Sequence, residues 1–377
     1  MAGHQPRVCF CHDGGVGTRV LVFSHACVIP ANQAVYAELR ALGFDLLVVA
    51  PEVWSNDYAG TAFHAQAHDA LTDAFLTIPV SRPGAPQRFR YRGSLHRNPR
   101  IRAFDPDVCI IEEEAFSLAG WQCARFARSR ELPYAIQAAE NMNRPLPWPA
   151  KVWRRLVLRS VSLVMARSKA AGERAVEWGA PPAAVEVVPH AIDAVVAAPS
   201  PRPEGVVGYV GRLVEAKGLT DLLEAIQRDE RLCLEVAGDG ALRTLFSEEQ
   251  PRVHWHGALA SSQLDAFYES ISVLALPSRS TPTWTEQFGR VIIEALAAGR
   301  PVVAYDSGEI PWVASITGIT LVAEGDTDGL ARALNRNAFG DFGVERAAFG
   351  RKAVNEHFTN AAVARQLATW IQDVTQL

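Results

Sequence analysis

The sequence predicts two α/β domains, each built on a doubly wound parallel sheet, that face each other across a cleft. The chain has 377 residues, more than a single hydrophobic core usually supports. Strand and helix patterns alternate along it in two runs, and a stretch rich in proline and alanine separates the runs. Apolar residues make up 49% of the chain and charged residues 21%, which is typical of a packed globular protein.

The first run of alternating patterns defines a domain over residues 18–195. Residues 1–17 show no periodicity and are predicted to form an extension outside the fold. Their glycines precede the first strand instead of following it, so they do not fit a dinucleotide-binding loop. We expect the linker at about 181–205. The predicted elements are strands at 19–23, 44–50, 108–111 and 134–136 and helices at about 32–42 and 117–130.

The second run defines a domain over residues 196–358, and an amphipathic helix follows at about 359–375. Its strands and helices alternate with short connections, so a second parallel sheet is expected. The predicted elements are strands at 205–210, 232–237, 253–257, 273–276, 301–304 and 319–322 and helices at 219–227, 241–247, 261–270 and 289–298.

Composition excludes several classes of function. The formal net charge of −4 argues against a nucleic-acid binder, because such proteins carry a basic surplus. The chain shows no apolar run of membrane-spanning length and no signal-peptide pattern, so a cytoplasmic protein is expected.

The six cysteines of the chain are scattered, which predicts no disulfides. Cys9, Cys11 and His12 lack a second ligand pair at zinc spacing, so no metal is expected.

The segment from Glu286 to Val303 is the most informative part of the chain. Two glutamates, Glu286 and Glu294, lie eight positions apart, the first in a loop and the second on a predicted helix. If that helix begins near Phe288 or Gly289, its free N–H groups form a site for a diphosphate. Carboxylates accept hydrogen bonds from vicinal hydroxyls, so Glu286 would orient a sugar and Glu294 a ribose. The alternative is that both are simply solvated.

A second motif places two cations after a strand. Gly211 ends the strand, and Arg212 and Lys217 follow it five residues apart. Ligand crevices of open α/β sheets form at the carboxyl ends of strands. The two cations would therefore neutralise a departing diphosphate, although such a pair standing alone is more often a solvated turn.

These strings together resemble a known family. VGRL followed by KG, then VAGDG, HWHG, LPS, EQFG and EALAAGRPVV are similar to the donor domain of the family-4 retaining glycosyltransferases of the GT-B fold. The resemblance implies that Arg212 and Lys217 contact the donor phosphates, Glu286 the sugar and Glu294 the ribose. It implies further donor contacts from Gly211, Gln287 and the backbone of Phe288 and Gly289, and packing of the base near His256 and Leu259. It also implies that no metal or cofactor is needed, and that the C-terminal helix, 359–377, completes the first domain.

The first domain resembles the same family more loosely. The quoted segments are Ser24 to Gln33, Glu112 to Leu118 and Ala139 to Asn141, which look like a subgroup met in exopolysaccharide and natural-product clusters. Many relatives have a histidine that touches the donor sugar where this chain has the glutamate run at 112–114. His25, Glu113 and Glu140 are expected on the acceptor side, and His25 would shape that site or assist deprotonation of the acceptor hydroxyl.

Two segments of the first domain mix basic and aromatic residues. The region from Arg82 to Arg102 holds seven arginines and no acid, and it would meet anionic lipid headgroups or an acceptor phosphate, unless it is only a solvated loop. A predicted helix has the same two interpretations, contact with an anionic surface or simple solvation. Its basic and aromatic residues are Trp148, Lys151, Trp153, Arg154, Arg155 and Arg159.

The function expected from the sequence is transfer of a sugar, with retention, from a UDP or GDP sugar or another nucleoside diphosphate sugar to an acceptor hydroxyl on a glycan, a lipid-linked sugar or a natural product. An epimerase of the same fold is one alternative. A non-catalytic binding partner that has kept the fold is the other.

Overall fold

The computed structural model describes residues 17–56, 61–142, 145–194, 199–246 and 250–376. Cys9, Cys11, His12 and nearly all of the predicted extension lie outside these ranges. In the first half, the strands are β1 (Arg19–Phe23), β2 (Asp45–Pro51), β3 (Val53–Asn56), β4 (Thr61–His64), β5 (Phe75–Ile78), β6 (Val80–Ser81), β7 (Arg90–Tyr91), β8 (Val108–Glu114), β9 (Tyr134–Ala138), β10 (Leu163–Ala166) and β11 (Val185–Val187). The helices of this half are α1 (Ala34–Ala41), α2 (Pro99–Phe104), α3 (Leu118–Ser129), α4 (Trp148–Leu158) and α5 (Lys169–Glu177).

The second half repeats the alternation with fewer insertions. Its strands are β12 (Val206–Val210), β13 (Cys233–Ala237), β14 (Val253–Trp255), β15 (Val273–Leu276), β16 (Val302–Tyr305) and β17 (Thr320–Val322). Its helices are α6 (Leu219–Gln227), α7 (Ser261–Ser270), α8 (Arg290–Ala297), α9 (Ile310–Thr317), α10 (Thr327–Ala338), α11 (Gly340–His357) and α12 (Asn360–Thr375).

Two parallel sheets form the two cores. Among the described residues, seven strands form the first sheet in the order β11-β10-β9-β8-β1-β2-β5, and six form the second in the order β14-β13-β12-β15-β16-β17. All neighbours within these sheets run parallel. Their central strands, such as β1 and β15, are buried along their length because helices cover both faces. The predicted fold class is confirmed.

The last helix returns to the first sheet. α12 packs against α1, and Val363, Leu367 and Ile371 join Val20 and Val22 of β1 in one buried cluster. These apolar positions are four residues apart, about one helical turn, so a single face of α12 covers the sheet. The chain therefore crosses between its two halves twice.

Two predicted segments differ from the structure. In the described part of the segment predicted as a helix at 241–247, residues 241–246, the structure forms a short 3₁₀ turn, Arg243–Leu245, instead of an α-helix. The N–H of Leu242 donates to the carbonyl of Leu213 instead of bonding within a helix. The proline-rich stretch does not begin a linker at residue 181, since β11 pairs with β10 at the edge of the first sheet. Proline is tolerated beside an edge strand, so a proline-rich composition at this point fits a strand as well as a linker, and β11 lies within the predicted first domain, 18–195.

The two halves contact each other through buried polar groups. The Glu309 carboxylate, ahead of α9, accepts hydrogen bonds from the N–H groups of Lys169 and Ala170 at 3.0 and 2.9 Å. Those N–H groups open α5, where a carboxylate satisfies helix donors that lack intrahelical partners. Glu309 is only 8% exposed, so this contact brings the carboxyl edge of the first sheet against the second half.

Candidate functional site: a cleft between the carboxyl edges of two sheets

The loop after β12 presents a cation at the carboxyl edge of the second sheet. Gly211 donates its N–H to the carbonyl of Ala237 at 3.0 Å, and the neighbouring loop packs so closely that a Cβ on Gly238 would lie 1.8 Å from the Gly211 carbonyl oxygen. Arg212 follows and is exposed. In the part of the chain that the structure describes, no carboxylate forms an ion pair with it, so its guanidinium is available to an anion.

Lys217 and Glu286 meet in the same region, although 69 positions separate them. The Lys217 ammonium lies 2.5 Å from a Glu286 carboxylate oxygen and 4.7 Å from the centre of the Trp284 ring. The Ser278 hydroxyl donates to the same carboxylate oxygen at 3.1 Å. Glu286 is 9% exposed, so the pair is held in a fixed arrangement at the floor of the cleft.

The helix after Glu286 begins at Arg290, with Gly289 as its N-cap at a φ of 70°. This left-handed conformation prevents the helix from extending further towards Glu286, so only part of the interval between Glu286 and Glu294 is helical. Glu294 accepts a hydrogen bond from the Tyr268 hydroxyl at 2.8 Å and pairs with Arg290 at 2.8 Å. Burial, together with the neighbouring Glu294 carboxylate, raises the pKa of Tyr268, which keeps the phenol a hydrogen-bond donor.

The remaining donor-side candidates surround this helix start. Phe288 is buried, with the ring of His190 at 5.5 Å. His256 follows β14, is exposed, and lies 2.5 Å from a Glu235 oxygen. Leu259 is half-buried against the second core. The loops after β12, β14 and β15 therefore border one side of the cleft, with a helix N-terminus between them.

A cavity of about 240 Å³ lies opposite, where the first sheet meets the loop of Glu286. Gln287, the next residue, lines this cavity, and its amide donates to the Asn141 side-chain oxygen at 3.1 Å. The cavity is lined by His25, Pro86, Gln87, Glu113, Glu114, Phe116, Gln137, Ala139, Glu140 and Gln287. The three acceptor-side candidates named from the sequence thus share one cavity next to the Lys217–Glu286 pair.

His25 and Glu113 form a buried pair in this cavity. The His25 Nδ1 atom lies 2.9 Å from both Glu113 carboxylate oxygens, and the His25 backbone N–H donates to one of them. Burial disfavours a charged imidazole, but the Glu113 carboxylate outweighs it and raises the pKa of His25. The ring is packed 4.7 Å from the ring of Trp54. His25 is therefore oriented with its Nδ1 occupied by Glu113.

Glu114 projects into the same cavity. One of its oxygens accepts the N–H groups of Ala139 and Glu140 at 2.7 and 3.1 Å. Burial raises the pKa of Glu114 to about 7, and the charge of Glu140 acts in the same direction. This carboxyl group changes its charge near neutral pH while lining the cavity.

We expect Glu114→Gln to change how stability depends on pH. Because the folded-state pKa of about 7 exceeds the usual value, the folded state binds the proton more tightly, and wild-type stability falls as pH rises from about 4.5 to about 7. Gln keeps the accepting oxygen and cannot ionise. Relative to wild type, the variant should gain on the order of 1–3 kcal/mol of unfolding free energy between pH 5 and pH 8, measured by urea unfolding. An identical difference at both pH values would contradict the assignment.

Sequence reasoning missed several members of this site. Ser278 and Tyr268 donate hydrogen bonds to the two predicted glutamates from 8 and 26 positions away. Trp284 lies against Lys217, 67 positions away, and none of these spacings forms a recognisable pattern. Gln287 was named as a donor contact, and the structure places it on the cavity wall as well. The glutamate run at 112–114 was noticed as a departure from relatives, and it was the available signal for Glu114.

Comparisons with known proteins identify the family. Residues 29–191 match the family described as glycosyl transferase 4-like domain, and residues 204–337 match the glycosyl transferases group 1. A GDP-mannose-dependent alpha-mannosyltransferase of Mycobacterium tuberculosis is 28% identical over 78% of this chain and 80% of its own length. The protein of the same description from Mycolicibacterium smegmatis is 30% identical over 72% of this chain and 73% of its own length. Anabaena HepE, solved in complex with UDP and glucose, superposes with a TM-score of 0.65 at 17% identity, covering 94% of this chain and 99% of that one.

The chain therefore belongs to the family-4 glycosyltransferases of the GT-B fold. It is an enzyme of the hexosyltransferase type that uses a nucleotide sugar, as its sequence relatives do by their descriptions. The predicted family and activity are confirmed, and the transferase is favoured over the epimerase and the non-catalytic partner.

Proposed function

We propose that this enzyme transfers a hexose with retention, and without a metal ion, from a nucleoside diphosphate sugar to an acceptor hydroxyl held in the 240 Å³ cavity. The observation that carries the proposal is the Lys217–Glu286 pair, because the residue after Glu286, Gln287, lines that cavity and α8 begins three residues further on. A donor whose diphosphate sits at Arg212, Lys217 and the helix start would present its sugar to Glu286 and Gln287.

The proposed mechanism relies on electrostatic stabilisation of the leaving group. As the glycosidic bond breaks, negative charge grows on the departing diphosphate. Arg212, Lys217 and the N–H groups at the start of α8 would stabilise that charge. Glu286 is bound by Lys217 and Ser278, which suits orientation of sugar hydroxyls better than nucleophilic attack. The acceptor hydroxyl would then bond to the anomeric carbon on the face from which the diphosphate leaves, and its proton would pass to the departing phosphate oxygen, which gives retention.

The donor proposal is tested by thermal unfolding with nucleotides. A ligand that binds only the folded state raises the melting temperature, so the panel comprises GDP, UDP, ADP and TDP, each with and without magnesium. We expect one nucleotide to give a clear shift that magnesium does not change, and Glu294→Ala to reduce that shift. GDP is the first candidate, since two relatives are GDP-mannose-dependent by description, and UDP, bound in HepE, is the second. A shift that requires magnesium would overturn the metal-independent part of the proposal.

We also propose that the enzyme works at the inner face of the cytoplasmic membrane, with the Arg82–Arg102 region facing anionic headgroups. All seven arginines of this region are exposed, whereas Phe89 and Tyr91 between them are core residues. The aromatic residues counted in the sequence are therefore unavailable for insertion, and the contribution of this region would be electrostatic. No helix in the described ranges is both long and apolar enough to cross a bilayer.

A further inference from the structure

The outer face of α4 carries apolar side chains that nothing in the structure covers. Trp148, Val152 and Leu156 are 76%, 42% and 41% exposed, and their spacing of four residues places them along one side of the helix. Few large apolar residues of the described chain are this exposed, and three of them share this one helix. Contiguous exposed apolar residues mark interaction surfaces, whereas single scattered ones are common on any soluble protein.

The inner face of α4 accounts for the rest of its apolar residues. Ala150, Val157 and Leu158 are buried, and the indole N–H of Trp153 donates to the carbonyl of Phe116 at 2.9 Å. Packing of this face against the first core fixes the orientation of the helix. The exposed apolar stripe therefore takes no part in packing α4 against the core.

Basic residues flank the stripe without partners. Lys151, Arg155 and Arg159 are exposed, and they project on the same outward side, three or four residues from the apolar positions. α4 contains no acidic residue, and the carboxylates of the following helix, Glu173 and Glu177, pair within that helix. In the described chain, none of the three basic residues has an ion-pair partner, so the face is positively charged as well as apolar.

We propose that α4 docks on an anionic phospholipid surface, with Trp148, Val152 and Leu156 inserted and Lys151, Arg155 and Arg159 at the headgroups. Apolar side chains beside unpaired cations match the boundary between acyl chains and anionic headgroups. The surface is built from residues outside the donor site and outside the Arg82–Arg102 region.

Docking through α4 also has a consequence for catalysis. The helix follows β9, whose carboxyl end continues into Ala139 and Glu140 of the acceptor cavity. Trp148, at the start of α4, follows the cavity residue Glu140 by eight positions. The N-terminal end of the helix is therefore on the cleft side of the domain. A bilayer seated on this face would present membrane-borne acceptors near the cavity mouth.

The test is flotation of the full chain with two kinds of vesicle, phosphatidylcholine alone and phosphatidylcholine with about one third phosphatidylglycerol. We expect the wild type to float with the anionic vesicles only. The variant W148S/V152S/L156S should lose about tenfold or more of this binding, and K151Q/R155Q/R159Q should lose about two orders of magnitude at low salt.

The matched control is V344S/F349S on α11, which removes two exposed apolar side chains (52% and 58% exposed) elsewhere and should float like the wild type. Unfolding temperature and nucleotide-induced shift, measured without vesicles, verify that each variant keeps its fold and donor site. Wild type that ignores anionic vesicles, or that floats equally well with neutral ones, overturns the proposal. So does a serine triple variant that binds the anionic vesicles as tightly as the wild type. None of these outcomes depends on whether the donor assignment holds.

Discussion

Replacing Lys217 with alanine is expected to lower kcat/KM by about 100- to 1000-fold, the usual effect of removing one preorganised group that meets developing negative charge. Lys217 is the buried cation of the cleft: its side chain is 13% exposed, and it touches both Glu286 and Trp284. Its loss removes positive charge from the leaving group and leaves Glu286 without its cation. The effect is measured as release of nucleotide in the presence of acceptor.

Two matched variants separate this effect from a general loss of charge. Lys217→Arg keeps the cation and should recover part of the activity, although a planar guanidinium does not reproduce the geometry of an ammonium. Lys352→Ala removes a lysine that is 77% exposed and should leave kcat/KM unchanged. A Lys217→Ala enzyme with nearly wild-type turnover would show that the diphosphate does not lie at this position.

Replacing Gly218 with alanine is expected to cause a large loss of stability next to the donor site. Gly218 has a φ of 65°, and a Cβ there would lie 1.9 Å from the carbonyl oxygen of Pro277. Backbone on both sides must move to admit the methyl group. We expect a loss of about 3 kcal/mol or more in unfolding free energy, combining left-handed strain with overpacking, measured by urea unfolding.

Gly340 provides the control for this prediction. Its φ of 66° matches that of Gly218, but a Cβ there would meet nothing within 4 Å. Gly340→Ala should therefore cost only the left-handed conformation, about 1 kcal/mol. If the two substitutions lower the unfolding free energy by the same amount, the close approach of residues 218 and 277 does not contribute to the loss of stability. Because Gly218 directly follows Lys217, a shifted backbone at 218 should also weaken the nucleotide-induced thermal shift.

Local periodicity was sufficient to predict most of the parallel architecture. The helix at Leu219–Gln227 and the strand at Val273–Leu276 lie at their predicted bounds, because a buried strand between helices needs a short apolar run and a helix on a sheet needs an apolar stripe. The start of the linker was harder to predict. Proline-rich composition does not distinguish a linker from an edge strand, and β11 is an edge strand.

The donor-site candidates were identified from local motifs, whereas their arrangement was decided by the tertiary structure. The sequence alone determined that Lys217 and Glu286 each follow a strand of a parallel sheet, because residue types and strand order are local properties. Only folding decided that they share an ion pair beneath Trp284, since contacts between loops depend on how neighbouring strands are ordered. Burial likewise separates Phe89, inside the core, from Trp148, which is 76% exposed, although both are aromatic residues in basic segments. The physical reason is that side-chain partners and solvent exposure are set by long-range packing, which periodicity along the chain does not record.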